Sequence, residues 1–202
     1  MNKRNEPGHG VVIRHGFPEA QRDVVAALFW AAFGGKLGRV LGPPVRGQAF
    51  VARVLQPRFA ISAQNHDGEV LGVAGIKTAT GGLVGGGLRD LAAVYGWPQA
   101  LWRGPLLSFL ERDLPPDCLL MDGIFVSATA RGQGVGTALL QAVFAEARAR
   151  GMSRVQLDVI ETNPRARALY ERQGFVAVNV ERLGPMRHVF GFRSATRMEA
   201  VL

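Results

Sequence analysis

The chain contains short apolar runs and longer amphipathic stretches, which predict strands and helices respectively. Strands are expected at residues 11–14, 59–64, 70–78, 119–126, 154–160, 175–180 and 189–198. Helices are expected at residues 18–35, 88–95, 98–112, 134–150 and 164–174. Residues 34–57 are interrupted by glycine and proline and predict a mostly irregular segment with a short helix near 48–55. This order of elements predicts an α/β fold with a mixed sheet around one core.

Several local signals support these boundaries. Asp67-Gly68 lies between two predicted strands and is typical of a tight antiparallel turn. Asn163 followed by Pro164 is typical of the start of a helix. Residues 119–126 are almost continuously apolar, as expected of a central strand that is covered on both faces.

Residues 79–118 form the least regular part of the chain. Glycines cluster at 81–82 and 85–87, and Pro115-Pro116 ends the segment. The aromatic residues of this segment are Tyr95, Trp97, Trp102 and Phe109. They either pack two helices onto the sheet or form a lid over a substrate, and both interpretations stay open. We therefore expect one domain over 1–202 with a helical, lid-like insertion at about 79–118.

Composition narrows the class of protein. Of 202 residues, 48% are apolar, which is enough for a packed core and is atypical of disordered chains. No uninterrupted apolar run approaches the roughly 20 residues of a membrane-spanning helix, so no membrane partner is expected. The first ten residues contain no apolar leader segment, which predicts a cytoplasmic location. A single cysteine, Cys118, excludes an internal disulfide and a cysteine-based zinc site, and it is interpreted as a small core residue.

The formal net charge of +8 indicates a polyanionic partner: nucleic acid, an acidic membrane or a phosphate-rich ligand. The charge is uneven, because residues 61–120 carry four basic and six acidic side chains while both flanking segments are basic. No basic run reaches five residues, so nucleic-acid binding is not favoured.

The strongest local signal is the segment Arg131–Thr137, which reads Arg-Gly-Gln-Gly-Val-Gly-Thr between a buried strand and a helix. Glycines allow a ligand to approach the backbone, and free N–H groups at a helix N-terminus bind anions. A nucleoside-triphosphate loop is excluded because no Gly-Lys-Ser/Thr is present. A dinucleotide site stays open, with Asp158 as a ribose-binding acid, although Thr137 occupies the third glycine position.

Two motifs together resemble a known family. Val126-x4-Arg131-Gly132-Gln133-Gly134-Val135-Gly136 is similar to the acetyl-CoA signature of the GNAT N-acetyltransferase superfamily. Asn163-x2-Ala166-x3-Tyr170-x3-Gly174-Phe175 resembles its second signature, and the match covers about residues 119–180. The resemblance implies a mostly antiparallel sheet with helices on both faces and a V-shaped splay between the fourth and fifth strands.

The resemblance also implies site residues. Acetyl-CoA is the expected co-substrate, no metal is expected, and Tyr170 is the expected general acid for the departing CoA thiolate. The pyrophosphate would bind the backbone N–H groups of the loop, and the pantetheine arm would pair with the strand around Ile124–Val126. The expected cofactor-binding residues are Ile124, Phe125, Val126, Arg131, Gly132, Gln133, Gly134, Val135, Gly136, Thr137 and Asn163. Asn163 also serves as a helix cap.

The general base has two candidates. Asp122 is an ionisable residue in an otherwise apolar strand, four residues before Val126, where many relatives place an acid. Glu161, directly after the next strand, is the second candidate. Either would remove a proton from an amine that attacks the thioester directly.

Three functions follow as hypotheses. The first is acetyl transfer to a small cationic amine, because Asp90, Glu111, Asp113 and Asp117 lie in or beside the insertion. The second is acetyl transfer to a protein N-terminus or lysine. The third is acyl-CoA or nucleic-acid binding without turnover. A homodimer formed through the last strands is a further expectation.

Overall fold

The computed structural model of the chain describes residues 10–108, 115 and 117–202. The strands are β1 (Val12–His15), β2 (Ala60–Gln64), β3 (Val70–Thr78), β4 (Gly81–Gly82), β5 (Cys118–Val126), β6 (Arg154–Ile160), β7 (Val176–Arg182) and β8 (Ser194–Val201). The helices are α1 (Arg22–Leu41), α2 (Pro44–Val54), α3 (Leu88–Tyr95), α4 (Trp97–Ser108), α5 (Val135–Ala149), α6 (Pro164–Arg172) and α7 (Arg187–Phe190).

The strands form one sheet in the order β1-β2-β3-β5-β6-β8-β7, and the short β4 pairs with β3. Neighbouring strands are antiparallel except β5 and β6, which run parallel. This confirms the mixed, mostly antiparallel sheet. The parallel pairing joins Cys118–Leu120 to Arg154–Gln156, and within the described residues it extends no further along β5. The V-shaped splay between these strands stays a prediction.

Helices pack on both faces of the sheet. On one face, α5 buries Leu139 and Val143 against Ile61 and Met121 of the strands. On the opposite face, α1 and α2 form a second core with strand residues that include Phe125. The burial of apolar surface on both sides explains why residues 119–126 are so continuously apolar.

The expected helix end at Gly34-Gly35 was wrong, and so was the mostly irregular segment at 34–57. The helix α1 continues to Leu41, and α2 follows directly. A glycine costs about 1 kcal/mol inside a helix, but the burial of Leu37 and Val40 outweighs this cost. A Cβ on Gly47 of α2 would lie 2.1 Å from the Trp30 ring, so glycine there allows the two helices to approach.

The last predicted strand, 189–198, was partly wrong. Residues Arg187–Phe190 form the short helix α7, and β8 begins only at Ser194. Gly191 ends this helix with φ +75°, a conformation that glycine adopts without strain. Phe190 and Phe192 are buried beside Val40 of α1, and this packing requires the turn.

One described helical segment, Glu19–Leu41, is long and apolar enough to cross a membrane by length and composition alone. Its apolar residues Val25, Ala26 and Trp30 are buried in the core shared with α2 and the sheet.

Candidate functional site

An irregularity in β5 places Asp122. In the pairing with β3, Gly75 lies opposite Gly123 and Ile76 lies opposite Met121, so Asp122 has no partner across the ladder. It is the extra residue of a β-bulge, a feature that redirects side chains and is frequent beside active sites. As a result Asp122 and Gly123, although consecutive, both line the cavity on the α1 face of the sheet.

The Asp122 carboxylate is held by the loop that follows β4. The backbone N–H of Leu83 donates a hydrogen bond to Oδ2 over 3.2 Å. The side chain is accessible to solvent from the cavity. Protein atoms nevertheless surround it closely, and this burial raises the pKa of the carboxyl, while Lys77, the Leu83 N–H and Lys36 act in the opposite direction. A carboxylate of raised pKa that stays accessible is suited to accept a proton.

The cavity beside Asp122 has a volume of about 470 Å³. It is bounded by α1, α2, the loop around Gly81–Gly86 and the centre of β5. Two of the predicted site residues, Asp122 and Phe125, are among the described residues that line the cavity. Two further lining residues, Lys36 and Lys77, were not predicted from the sequence. A signal was available, since the chain has 21 arginines but only three lysines, and two of those lysines line this cavity.

The glycine-rich loop Arg131–Gly134 leads into α5 and has the form expected of an anion site. Gly132 and Gly134 have φ of +81° and +83°, and nothing lies within 4 Å of a Cβ built on either. Among the described residues, no acceptor is assigned to the N–H groups of Val135, Gly136 and Thr137, which begin the helix. A helix N-terminus with free N–H groups and open space in front fits a pyrophosphate.

The predicted cofactor strand is also open along one edge. Ile124, Phe125 and Val126 pair with β3 on one side, whereas the described pairing of β5 with β6 stops at Leu120. The backbone groups on the second side are therefore available to an extended polar chain such as pantetheine. Arg131 turns back and donates from Nε to the Val126 carbonyl over 3.3 Å, which connects the strand end to the glycine-rich loop.

Tyr170 lies on α6 and belongs to the same buried core as Val135, the first residue of α5. Its ring packs against Phe175 with a centroid distance of 5.7 Å and is 5% exposed. Burial raises the pKa of the phenol, so it stays protonated at neutral pH. No hydrogen bond to the hydroxyl is found in the described part of the chain, and no described buried polar atom lacks a partner, so the hydroxyl reaches accessible surface.

The helix that carries Tyr170 packs on the first turn of α5 through Leu169. A Cβ on Gly136 would lie 3.2 Å from Leu169 Cδ2, so glycine allows α6 to approach the start of α5. The amide of Gln141 on α5 donates to Gln173 after α6 over 2.6 Å. Asn163 caps α6 by accepting a hydrogen bond from the Ala166 N–H over 3.2 Å.

Glu161 lies outside the cavity. Its carboxylate accepts hydrogen bonds from the Ser194 hydroxyl and from the Arg193 N–H, which lies 2.9 Å away. The hydrogen bond from the Ser194 hydroxyl, and after it those from the backbone N–H groups of Arg193 and Ser194, lower the pKa of the Glu161 carboxyl. Glu161 is therefore placed to hold the start of β8, and the structure does not bring it together with Asp122.

Of the acidic residues on which the predicted cationic acceptor was based, the two described ones, Asp90 and Asp117, are not among the residues that line the cavity. Asp90 pairs with Arg53 over 2.9 Å, and Asp117 pairs with Arg154 over 3.0 Å. Phe109, Glu111 and Asp113 lie outside the described residues. The observed α4, Trp97–Ser108, shows the expected helix as far as Ser108.

Comparison with known proteins identifies the family. A family model described as "Acetyltransferase (GNAT) family" matches residues 48–175. The chain belongs to the GNAT acetyltransferase family. The match covers both signature motifs, β5 and most of the cavity wall, so the sequence resemblance and the family match concern the same part of the molecule.

One curated protein matches a segment of the chain, and solved structures match its fold. A mycothiol acetyltransferase from Beutenbergia cavernae is 49% identical over 55 residues, which are 27% of this chain and only 18% of that protein. The structure of a GCN5-related N-acetyltransferase from Kribbella flavida has a TM-score of 0.61 at 18% identity, covering 96% of this chain and 98% of that one. An agmatine N-acetyltransferase has a TM-score of 0.62 at 16% identity, covering 96% and 100%.

Proposed function

We propose that this protein is an acetyl-CoA-dependent N-acetyltransferase that acts on a small primary amine in the cavity beside Asp122. The observation that carries the proposal is the presence of two features on one strand. A bulged, accessible carboxylate lies in the middle of β5, and an open edge followed by the glycine-rich loop lies at its end. The amine and the thioester would thus meet along a single strand.

Asp122 is the proposed general base. It would accept a proton from the protonated acceptor amine, directly or through one water molecule, so that the nitrogen lone pair can attack the thioester carbonyl. The raised pKa of Asp122 makes its carboxylate a stronger base, and the hydrogen bond from the Leu83 N–H fixes the orientation of the side chain. Glu161 is less suited, because two donors already occupy its carboxylate and its pKa is lowered.

Tyr170 is the proposed general acid. As the new C–N bond forms and the C–S bond breaks, the electron pair of that bond goes to sulfur, and the phenol would donate its proton there. The second proton that the nitrogen loses on becoming an amide would pass to the resulting phenolate, directly or through water, and restore Tyr170. A phenol of raised pKa donates less readily than an unperturbed one, so close contact with sulfur is required. The packing of α6 on the first turn of α5, directly after the glycine-rich loop, supports this placement.

The CoA site can be tested with two matched variants of α5. Gly134→Ala adds a methyl at positive φ at the N-terminus, in the open space before the free N–H groups. Gly151→Ala adds the same methyl at φ +70° just after the C-terminus, also in open space. Both cost about 1 kcal/mol of stability, but only the first should weaken CoA binding in calorimetry, by about tenfold or more.

Turnover is measured as thiol release from acetyl-CoA with a panel of amines that includes a peptide N-terminus. Amine-dependent release is expected from the small members of the panel. CoA binding that is equally weakened by both glycine variants, or no amine-dependent release, would contradict the proposal. The cytoplasmic location, the homodimer and the domain limits stay predictions.

A further inference from the structure

The charges on the cavity wall differ from those expected for a cationic acceptor. The described lining residues carry two ammonium groups, Lys36 and Lys77, and one carboxylate, Asp122. With Asp122 ionised, this wall has a net charge of +1, and with Asp122 protonated it has +2. A polyamine would add several positive charges, and among the described lining residues one carboxylate is available to compensate them.

The two lysines come from different elements. Lys36 lies on α1 and Lys77 near the end of β3, so the fold brings them into the same cavity as the Asp122 carboxylate. Both are half-buried, and both lower the pKa of Asp122 through their charge. Lysine is the rarer choice in this chain, and a compact ammonium on a flexible stem can follow a small anion.

Part of the remaining wall is aromatic, and the rest consists of aliphatic residues and glycines. Phe29 and Phe33 of α1 and Phe125 of β5 form one cluster, with ring centroids 4.7 to 6.0 Å apart. The Lys36 ammonium lies 4.9 Å from the Phe33 ring centroid, at the border between the aromatic wall and the charged part of the cavity. The cavity thus combines an apolar surface, two cations and one proton acceptor.

We propose that the acceptor amine carries a carboxylate and an apolar side chain, as an apolar amino acid does. This inference rests on the proposed acetyl transfer and specifies its substrate class. Lys36 and Lys77 would bind the carboxylate, the three phenylalanines would cover the apolar part, and the amino group would lie toward Asp122. The two lysines are then specificity-determining residues for the acceptor.

The test compares amines that differ only in the carboxylate: L-phenylalanine with 2-phenylethylamine, and L-leucine with 3-methylbutylamine, with spermidine as the cationic reference. We expect kcat/KM to be at least about tenfold higher for each amino acid than for its decarboxylated partner. In Lys36→Met and Lys77→Met, KM for the amino acids should rise and this preference should fall toward one. Arg148→Met, an exposed change on α5, should leave it unchanged.

Comparing the amino-acid preference of the wild type with that of a variant isolates the contribution of the lysines, because each amine has the same intrinsic basicity in both assays. Lys→Arg variants should restore part of the preference if charge is what the site requires. Equal or faster turnover of the decarboxylated amines or of spermidine in the wild type would overturn the inference.

A binding measurement separates this inference from the proposed function. Calorimetry with the CoA-bound protein should show tighter binding of the amino acids than of their partners, and the lysine variants should lose the difference. If that preference is found but no thiol is released, acetyl transfer is refuted and the carboxylate site is supported. If thiol is released but no preference is found, the carboxylate site is refuted and acetyl transfer is supported.

Discussion

Replacement of Asp122 by asparagine tests the proposed base most directly. Asparagine keeps the size of the side chain and can still accept the Leu83 N–H hydrogen bond, now 3.2 Å long, but it cannot accept a proton. Loss of a general base lowers turnover by about 10² to 10⁴. At about 1.36 kcal/mol per tenfold, this raises the barrier by about 3 to 5 kcal/mol.

The same substitution should not destabilise the fold. Burial raises the folded-state pKa of Asp122, so its contribution to stability is favourable below the unfolded pKa of about 3.9 and is lost as the pH rises through the folded value. At neutral pH the ionised carboxylate therefore destabilises the folded state, and asparagine removes this destabilisation. The melting temperature of Asp122→Asn should equal or exceed that of the wild type at pH 7.

The assay is the initial rate of thiol release between pH 5 and 9, with Glu161→Gln as the matched control. Wild-type kcat/KM should rise with pH through the raised pKa of Asp122, and the asparagine variant should lose this limb of the profile. Glu161→Gln replaces one of the two accepting oxygens at the start of β8 with an NH2 donor, and it should lower stability but not change the pH dependence. An Asp122→Asn variant within about threefold of wild-type activity would refute the reasoning.

Three further outcomes are expected. Gly82→Ala builds a Cβ 2.7 Å from Asp122 Oδ2 and should lower kcat by about 10- to 100-fold. Gly87→Ala, with open space around its Cβ, should leave kcat unchanged, and equal kinetic effects of the two variants would argue against a positioned carboxylate. Tyr170→Phe should lower kcat by about 10²-fold with an unchanged calorimetric affinity for CoA, and a parallel loss of affinity would indicate a packing role instead. Asn163→Ala should cost about 1 kcal/mol in urea unfolding, and an unchanged midpoint would show that the cap contributes nothing.

Much of the sheet could be predicted because its signals are local. The Asp67-Gly68 turn predicted the β2–β3 hairpin, and the loop at Arg131–Thr137 predicted the start of α5. The continuation of α1 past Gly34-Gly35 could not be predicted in this way, because burial against distant residues decides it.

The cavity was harder to predict than the CoA loop. The loop is one continuous segment, whereas the cavity joins residues that are far apart in the chain, such as Lys36, Lys77 and Asp122. Strict alternation along β5 also fails at the bulge. Leu119 and Met121 face α5, but beyond the bulge the parity changes and Phe125 faces α1. Nothing in the apolar pattern of residues 119–126 marks this change.

The bulge in β5 has a consequence for how the chemistry of this protein can be altered. Asp122 has no partner across the ladder and belongs to neither apolar core, so backbone pairing and core packing place little demand on the identity of the residue there. Its neighbour Gly123 is restricted, since a Cβ there would lie 2.5 Å from Phe33. The fold thus separates a chemically exchangeable position from a sterically fixed one on adjacent residues. Side chains of similar size and different acid–base character are therefore expected to fit at position 122, beside the Leu83 N–H, without a change in the pairing of the sheet.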